Sequence, residues 1–145
     1  MMDEISFQVS EETPASMVPV INGCTLIDLV TEFEVTRNHD PHGGYGGLVP
    51  AFFNFGDLRT YLLGLDNHEW PRPGTAWLLG CDCGEVGCWP LEATVDTRPT
   101  HVMWSNFSQP FRPGRGFGPF VFDRDQYATA VADAVALLGV RGSEV

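Results

Sequence analysis

The sequence predicts an α+β fold in a single domain: an antiparallel β-sheet, a meander of at least three strands, packed by two main helices. Three observations carry that expectation. Residues 75–107 hold three strand-length segments parted by a cysteine-rich loop and a short turn, and the middle one alternates apolar with polar residues. Two other stretches, Leu26–Phe33 and Tyr127–Leu138, repeat apolar residues at helical spacing. The chain has 145 residues, of which 43% are hydrophobic and 19% charged, which suits one domain with its own core and argues against wholesale disorder.

Taken in order, Ile5–Val9 alternates Ile5, Phe7 and Val9 with Ser6 and Gln8, the pattern of a half-buried strand. A polar linker with Pro14 leads to a second short strand, Met17–Ile21, which the Asn22-Gly23 turn ends. The first helix follows, with Leu26, Leu29, Val30 and Phe33 at i, i+3, i+4 and i+7. Thr25 and Asp28 supply an approximate capping box. Asp28, Thr31, Glu32 and Glu34 are assigned to the outer, solvated face. Asp57–Leu65 reads as a short helix.

The meander comprises Thr75–Gly80, Leu91–Asp96 and His101–Phe107, with the middle strand antiparallel to both neighbours. Pro110–Pro119 is a Gly/Pro-rich loop bearing Arg112 and Arg115. The last helix is capped by Asp123, with Gln126 at its third position, and Gly139 is expected to stop it. Its stripe is Tyr127, Ala130, Val131, Ala134 and Leu138. The tryptophans Trp70, Trp77, Trp89 and Trp104 read as core.

The formal charge is −11. A chain so acidic lacks the basic face that a nucleic-acid backbone requires, so no nucleic-acid partner is expected. The acid is concentrated at the front, where residues 1–40 carry eight carboxylates against Arg37 alone, a net of −7. Such a segment suits capture of a basic protein partner, in the manner of immunity proteins that neutralise toxins, or serves solubility alone. All eight basic residues are arginine, which removes lysine chemistry such as a Schiff base. Met1-Met2-Asp3-Glu4 shows no apolar signal region. The longest apolar tract, Ala128–Val140, is interrupted by Thr129 and Asp133 and is too short for a bilayer. The expectation is a cytoplasmic protein with no membrane partner and with reduced thiols.

Two loops carry candidate chemistry. The segment Arg37–Gly47 offers four glycines and two histidines, His39 and His42. No lysine or following hydroxyl completes a phosphate loop, and the histidines read first as solvated loop residues. The second loop holds Cys81, Cys83 and Cys88 within eight residues. Three thiolates on one hairpin suit zinc, and Gly84 suits a tight turn around a metal. A closed zinc site needs a fourth ligand, for which Cys24, His68 and His101 are the candidates. Packing as small soft side chains at a hairpin end is the plainer reading. Thiol redox chemistry is weaker, because the run lies between strands rather than at a helix N-terminus. Gly87-Cys88-Trp89 resembles a papain-like nucleophile segment superficially, with His101 and Asn106 on the neighbouring strand as the residues to orient and activate a thiolate. Its spacing is off by one, and Pro90 and a strand follow where a helix belongs.

The run Leu79-Gly80-Cys81-Asp82-Cys83-Gly84-Glu85-Val86-Gly87-Cys88-Trp89-Pro90 is followed by Val102–Phe107 and by Phe117-Gly118-Pro119-Phe120-Val121-Phe122-Asp123. Together these motifs, spread over residues 75–130, resemble a group of uncharacterised bacterial proteins, mainly actinobacterial, that share a GCxCGxxGCWP run. The resemblance implies a single bacterial α+β domain and carries no mechanism. The functional expectation is therefore a small acidic cytoplasmic binding protein, non-catalytic, with a structural or zinc-binding cysteine hairpin. The alternative is a cysteine-dependent enzyme centred on Cys81, Cys83 or Cys88.

Overall fold

A computed structural model of the chain describes residues 2–10, 14–38, 43–51, 55, 57–64, 74–81, 90–109, 112–113 and 117–142. Among these residues, two antiparallel sheets and three helices form an α+β fold. The smaller sheet contains β1 (Ile5–Val9), β2 (Met17–Ile21) and β3 (Cys24–Thr25). β1 and β2 pair in register from Ile5↔Ile21 to Val9↔Met17. Asn22 and Gly23, at φ +53° and +86°, form the two-residue turn into β3. Positive φ at both positions matches the right-handed twist of a hairpin, which is why Asn-Gly signals it.

The larger sheet runs β4 (Tyr45–Gly46), β5 (Thr75–Cys81), β6 (Leu91–Thr97), β7 (His101–Gln109) and β8 (Arg112–Pro113). β9 (Phe120–Asp123) also pairs with β7. The predicted meander is present, with β6 antiparallel to both β5 and β7. Leu91, Ala93 and Val95 are buried, while Glu92, Thr94 and Asp96 lie half-buried on the other face. A register shift between Glu92 and Thr94 leaves β7 one residue longer there, where Asn106 takes φ +52°.

Two isolated bridges stitch the sheets together. Met17 and Leu48 exchange both backbone hydrogen bonds at 2.9 Å, and Asp3 pairs in parallel with Phe122. The first seam depends on Gly47, because a Cβ there would stand 2.8 Å from the Met17 carbonyl oxygen. At the second, the Asp3 side chain accepts the Val121 N–H at 2.9 Å and the Asn22 amide at 3.0 Å.

α1 (Leu26–Thr36) begins where Thr25 accepts the Asp28 N–H at 3.1 Å, as the sequence predicts. α2 (Leu58–Leu62) is shorter than expected, and Asp57 caps it. It ends at Gly64, which takes φ +68° and where a Cβ would stand 2.8 Å from the Val95 carbonyl oxygen, so the position requires glycine. α3 (Arg124–Gly142) lies on β1, β7, β9 and α2, with Tyr127, Ala130, Val131 and Ala134 buried. Gly139 does not stop it. That glycine does not take the positive φ of a left-handed cap, and its missing side chain would meet only open space. One core cluster draws on both sheets and all three helices, with Trp104, Tyr61, Tyr127, Phe122 and Leu78 fully buried. Of the four tryptophans, Trp77 and Trp104 are core, and Trp70 and Trp89 lie outside the described residues.

Candidate functional site

The cysteine-rich run starts inside a strand. β5 continues through Cys81, because Tyr45 and Gly46 of β4 supply a ladder partner for Cys81 and Gly80. On the other side of β5, Leu79 pairs with Leu91. Directly opposed residues on antiparallel strands share a face, so Tyr45 and Cys81 are side-by-side neighbours. Both are buried, Cys81 with 9% of its surface accessible. The end of the glycine-rich loop and the start of the cysteine loop, far apart in sequence, therefore meet at this edge of the sheet.

Beneath β4 lies a carboxylate. Glu34 is 3% exposed and is the one buried charged side chain among the described residues. Its Oε1 accepts the Gly43 N–H at 2.9 Å and its Oε2 accepts the Tyr45 hydroxyl at 2.6 Å. This corrects its assignment to the solvated face of α1. Leu26, Val30 and Glu34 are spaced i, i+4, i+8, so helical geometry carries the third residue inward with the first two. Asp28 and Glu32 stay exposed as expected. A buried carboxylate is costly unless hydrogen-bonded, and here both oxygens have donors. At the end of the same helix the Arg37 guanidinium lies 5.1 Å from the centre of the Phe33 ring.

The proposed fourth ligands are placed differently. His101 opens β7 opposite Asp123, with its Nδ1 3.1 Å from the Thr100 hydroxyl. Thr97 pairs with Val102 at that end of β6, whereas Leu91, beside Leu79, is at the other. Six residue steps of strand separate the two ends, about 20 Å, so His101 is not brought to Cys81. Cys24 is exposed on β3 at the Ile21 end of β2, while the bridge to Leu48 beside β4 forms at Met17, the opposite end. Cys83, Cys88 and His68 lie outside the described residues, as do His39 and His42. Among the described residues no group of three or more His, Cys, Asp or Glu side chains is placed to hold a metal ion.

Two further tyrosines are fixed in the core by their hydroxyls. Tyr61 accepts the Trp77 N–H at 2.6 Å and donates to the carbonyl of the same residue at 3.3 Å. Tyr127 accepts the Trp104 indole N–H at 3.1 Å and donates to the Leu62 carbonyl. Burial pushes both phenols well above the ordinary tyrosine range. These hydroxyls link helices to strands. On the outer face of β6 the Glu92 carboxylate accepts the Ser108 hydroxyl at 2.9 Å.

Comparison with protein-family models, with curated proteins and with solved structures returned no match.

Proposed function

We propose that this chain is a small acidic cytoplasmic binding protein without catalytic activity, built to meet a basic protein partner. In this reading the hairpin of Cys81, Cys83 and Cys88 is a structural element that packs or holds zinc. The observation that carries the reading is Cys81 itself: its thiol is packed in a β-ladder beside Tyr45, the setting of a structural side chain rather than of a reagent-facing nucleophile. The charge supports the partner. A net of −11, with Asp28 and Glu32 exposed one turn apart on α1, gives a field that steers a cationic surface and sets its register. Among the described residues no helix is long and apolar enough to cross a membrane. The likeness to the bacterial group sharing the GCxCGxxGCWP run belongs to the same proposal.

Metal analysis of protein purified under reducing conditions tests the hairpin. One zinc per chain supports a metal-held hairpin, and metal-free protein in which Cys81, Cys83 and Cys88 alkylate slowly beside the exposed Cys24 supports a packed one. Metal-free protein in which one of Cys81, Cys83 and Cys88 is acidic and rapidly alkylated favours the cysteine-dependent enzyme instead.

A further inference from the structure

Glu34 is an expensive choice for its position. An apolar residue would continue the Leu26–Val30 stripe, yet the chain places a carboxylate there and satisfies both oxygens with groups from one short segment, Gly43 and Tyr45. That segment leads into β4, a strand of only two residues, Tyr45 and Gly46. Such a strand has little ladder to hold it. Its pairing with β5 is limited to Tyr45↔Cys81 and Gly46↔Gly80. The bridge from Leu48 to Met17 secures its far side. Toward the glycine-rich loop, the hydrogen bonds to Glu34 tie it to α1.

We propose that the Glu34 carboxylate controls access to the Cys81 thiol by holding Tyr45, and with it β4, against the end of β5. Glu34 is thus a positioning residue for Cys81, acting through Tyr45. The inference rests on the structural hairpin reading only for the purpose that Cys81 serves, since the gate is defined by geometry alone. In the intact ladder Cys81 is buried opposite Tyr45, and local opening of β4 gives solvent reagents a route to the thiol at a rate that follows the population of the opened form. Removing a charge-assisted hydrogen bond raises that population without requiring the core to unfold.

The test is alkylation of the full chain, metal-free and reduced, by N-ethylmaleimide, with Cys81 resolved from the other cysteines by fragment mass spectrometry. Tyr45→Phe keeps the ring and removes one hydroxyl; with a native far-ultraviolet circular dichroism spectrum as the check on the fold, Cys81 labels at least tenfold faster than in the wild type. Glu34→Gln keeps an oxygen acceptor and gives a smaller increase than Tyr45→Phe. Tyr127→Phe, which loosens the core at Trp104 and Leu62, leaves the Cys81 rate near that of the wild type. The proposal is overturned if Tyr45→Phe labels Cys81 at the wild-type rate, or if Tyr127→Phe accelerates it equally. A metal-free native protein would sink the zinc reading and leave the gate intact, so the two failures are told apart.

Discussion

Gln126 stands in for a neighbouring strand at Ile5. Its Oε1 accepts the Ile5 N–H at 3.1 Å, and its Nε2 donates to the Ile5 carbonyl. A primary amide carries one acceptor and one donor side by side, so it reproduces a ladder pair where, among the described residues, β1 has no strand partner on that edge. The same residue lies in the first turn of α3, where its own N–H is accepted by Asp123 at 3.0 Å. The cap that starts the helix therefore also aims the side chain that binds β1.

Gln126→Ala leaves both Ile5 backbone groups half-buried without that partner. The expected cost is about 1–3 kcal/mol, the range for stranding buried hydrogen-bonding groups. Urea unfolding should show a lower midpoint with an unchanged slope. An unmoved midpoint would mean that water replaces the amide at no cost.

Alkaline stability follows from the two core tyrosines. Both Tyr61 and Tyr127 have phenols pushed above the ordinary value of 10.0 by burial. Below that value the folded and unfolded chains both keep the phenol protons, so the full contribution to stability is present. As pH rises past about 10 the unfolded chain releases protons that the folded chain retains, and stability falls. Phenolate absorbance from these two residues should therefore develop together with loss of near-ultraviolet circular dichroism. Full ionisation of all three tyrosines in a still-folded protein would refute this.

How much of the fold is legible in the sequence depends on where the information resides. β1, β2, the three meander strands, and the caps Thr25 and Asp123 follow from local period and capping chemistry, whereas the cap at Asp57 emerges from the structure. β3, β4 and β8 are two residues long and β9 four, too short to show a period, and their pairing is set by partners distant in sequence. Glu34 is legible in principle, since its i+4 spacing from Val30 places it on the buried stripe. Residue type outweighs position in such a reading, because isolated carboxylates are seldom buried. Tyr45 carries no such signal. Only the β4–β5 register shows that it stands beside Cys81.

The cysteines separate by burial. Cys81→Ala should cost about 1–2 kcal/mol if the thiol only packs, and more if it holds zinc, because metal binding is then coupled to folding. Cys24, exposed on β3, should tolerate alanine within about 0.5 kcal/mol. Thermal melts with and without chelator separate the cases. With bound zinc, chelator lowers the wild-type melting temperature and barely affects a metal-free Cys81→Ala. A Cys81→Ser protein that melts like the wild type while losing an activity would contradict the structural role and point to the enzyme.

The outer face of α1 is where the partner hypothesis can be tested without damaging the fold. Asp28 and Glu32 are exposed and one turn apart, while Glu34 must be left alone because it is buried and bonded to Tyr45. The double change Asp28→Arg and Glu32→Arg alters the net charge by +4. Losing an acidic side chain from the first turn costs stability of about 0.3–1 kcal/mol through the helix dipole, too little to unfold the chain. If this face steers a basic partner, association with a protein recovered from lysate should slow about tenfold at low salt. The difference should shrink as salt rises, since screening shortens to about 3 Å at 1 M. Dissociation should change less, because exposed charges at a rim govern encounter more than retention. Unchanged capture at low salt would leave the acidic front of the chain as a property of solubility.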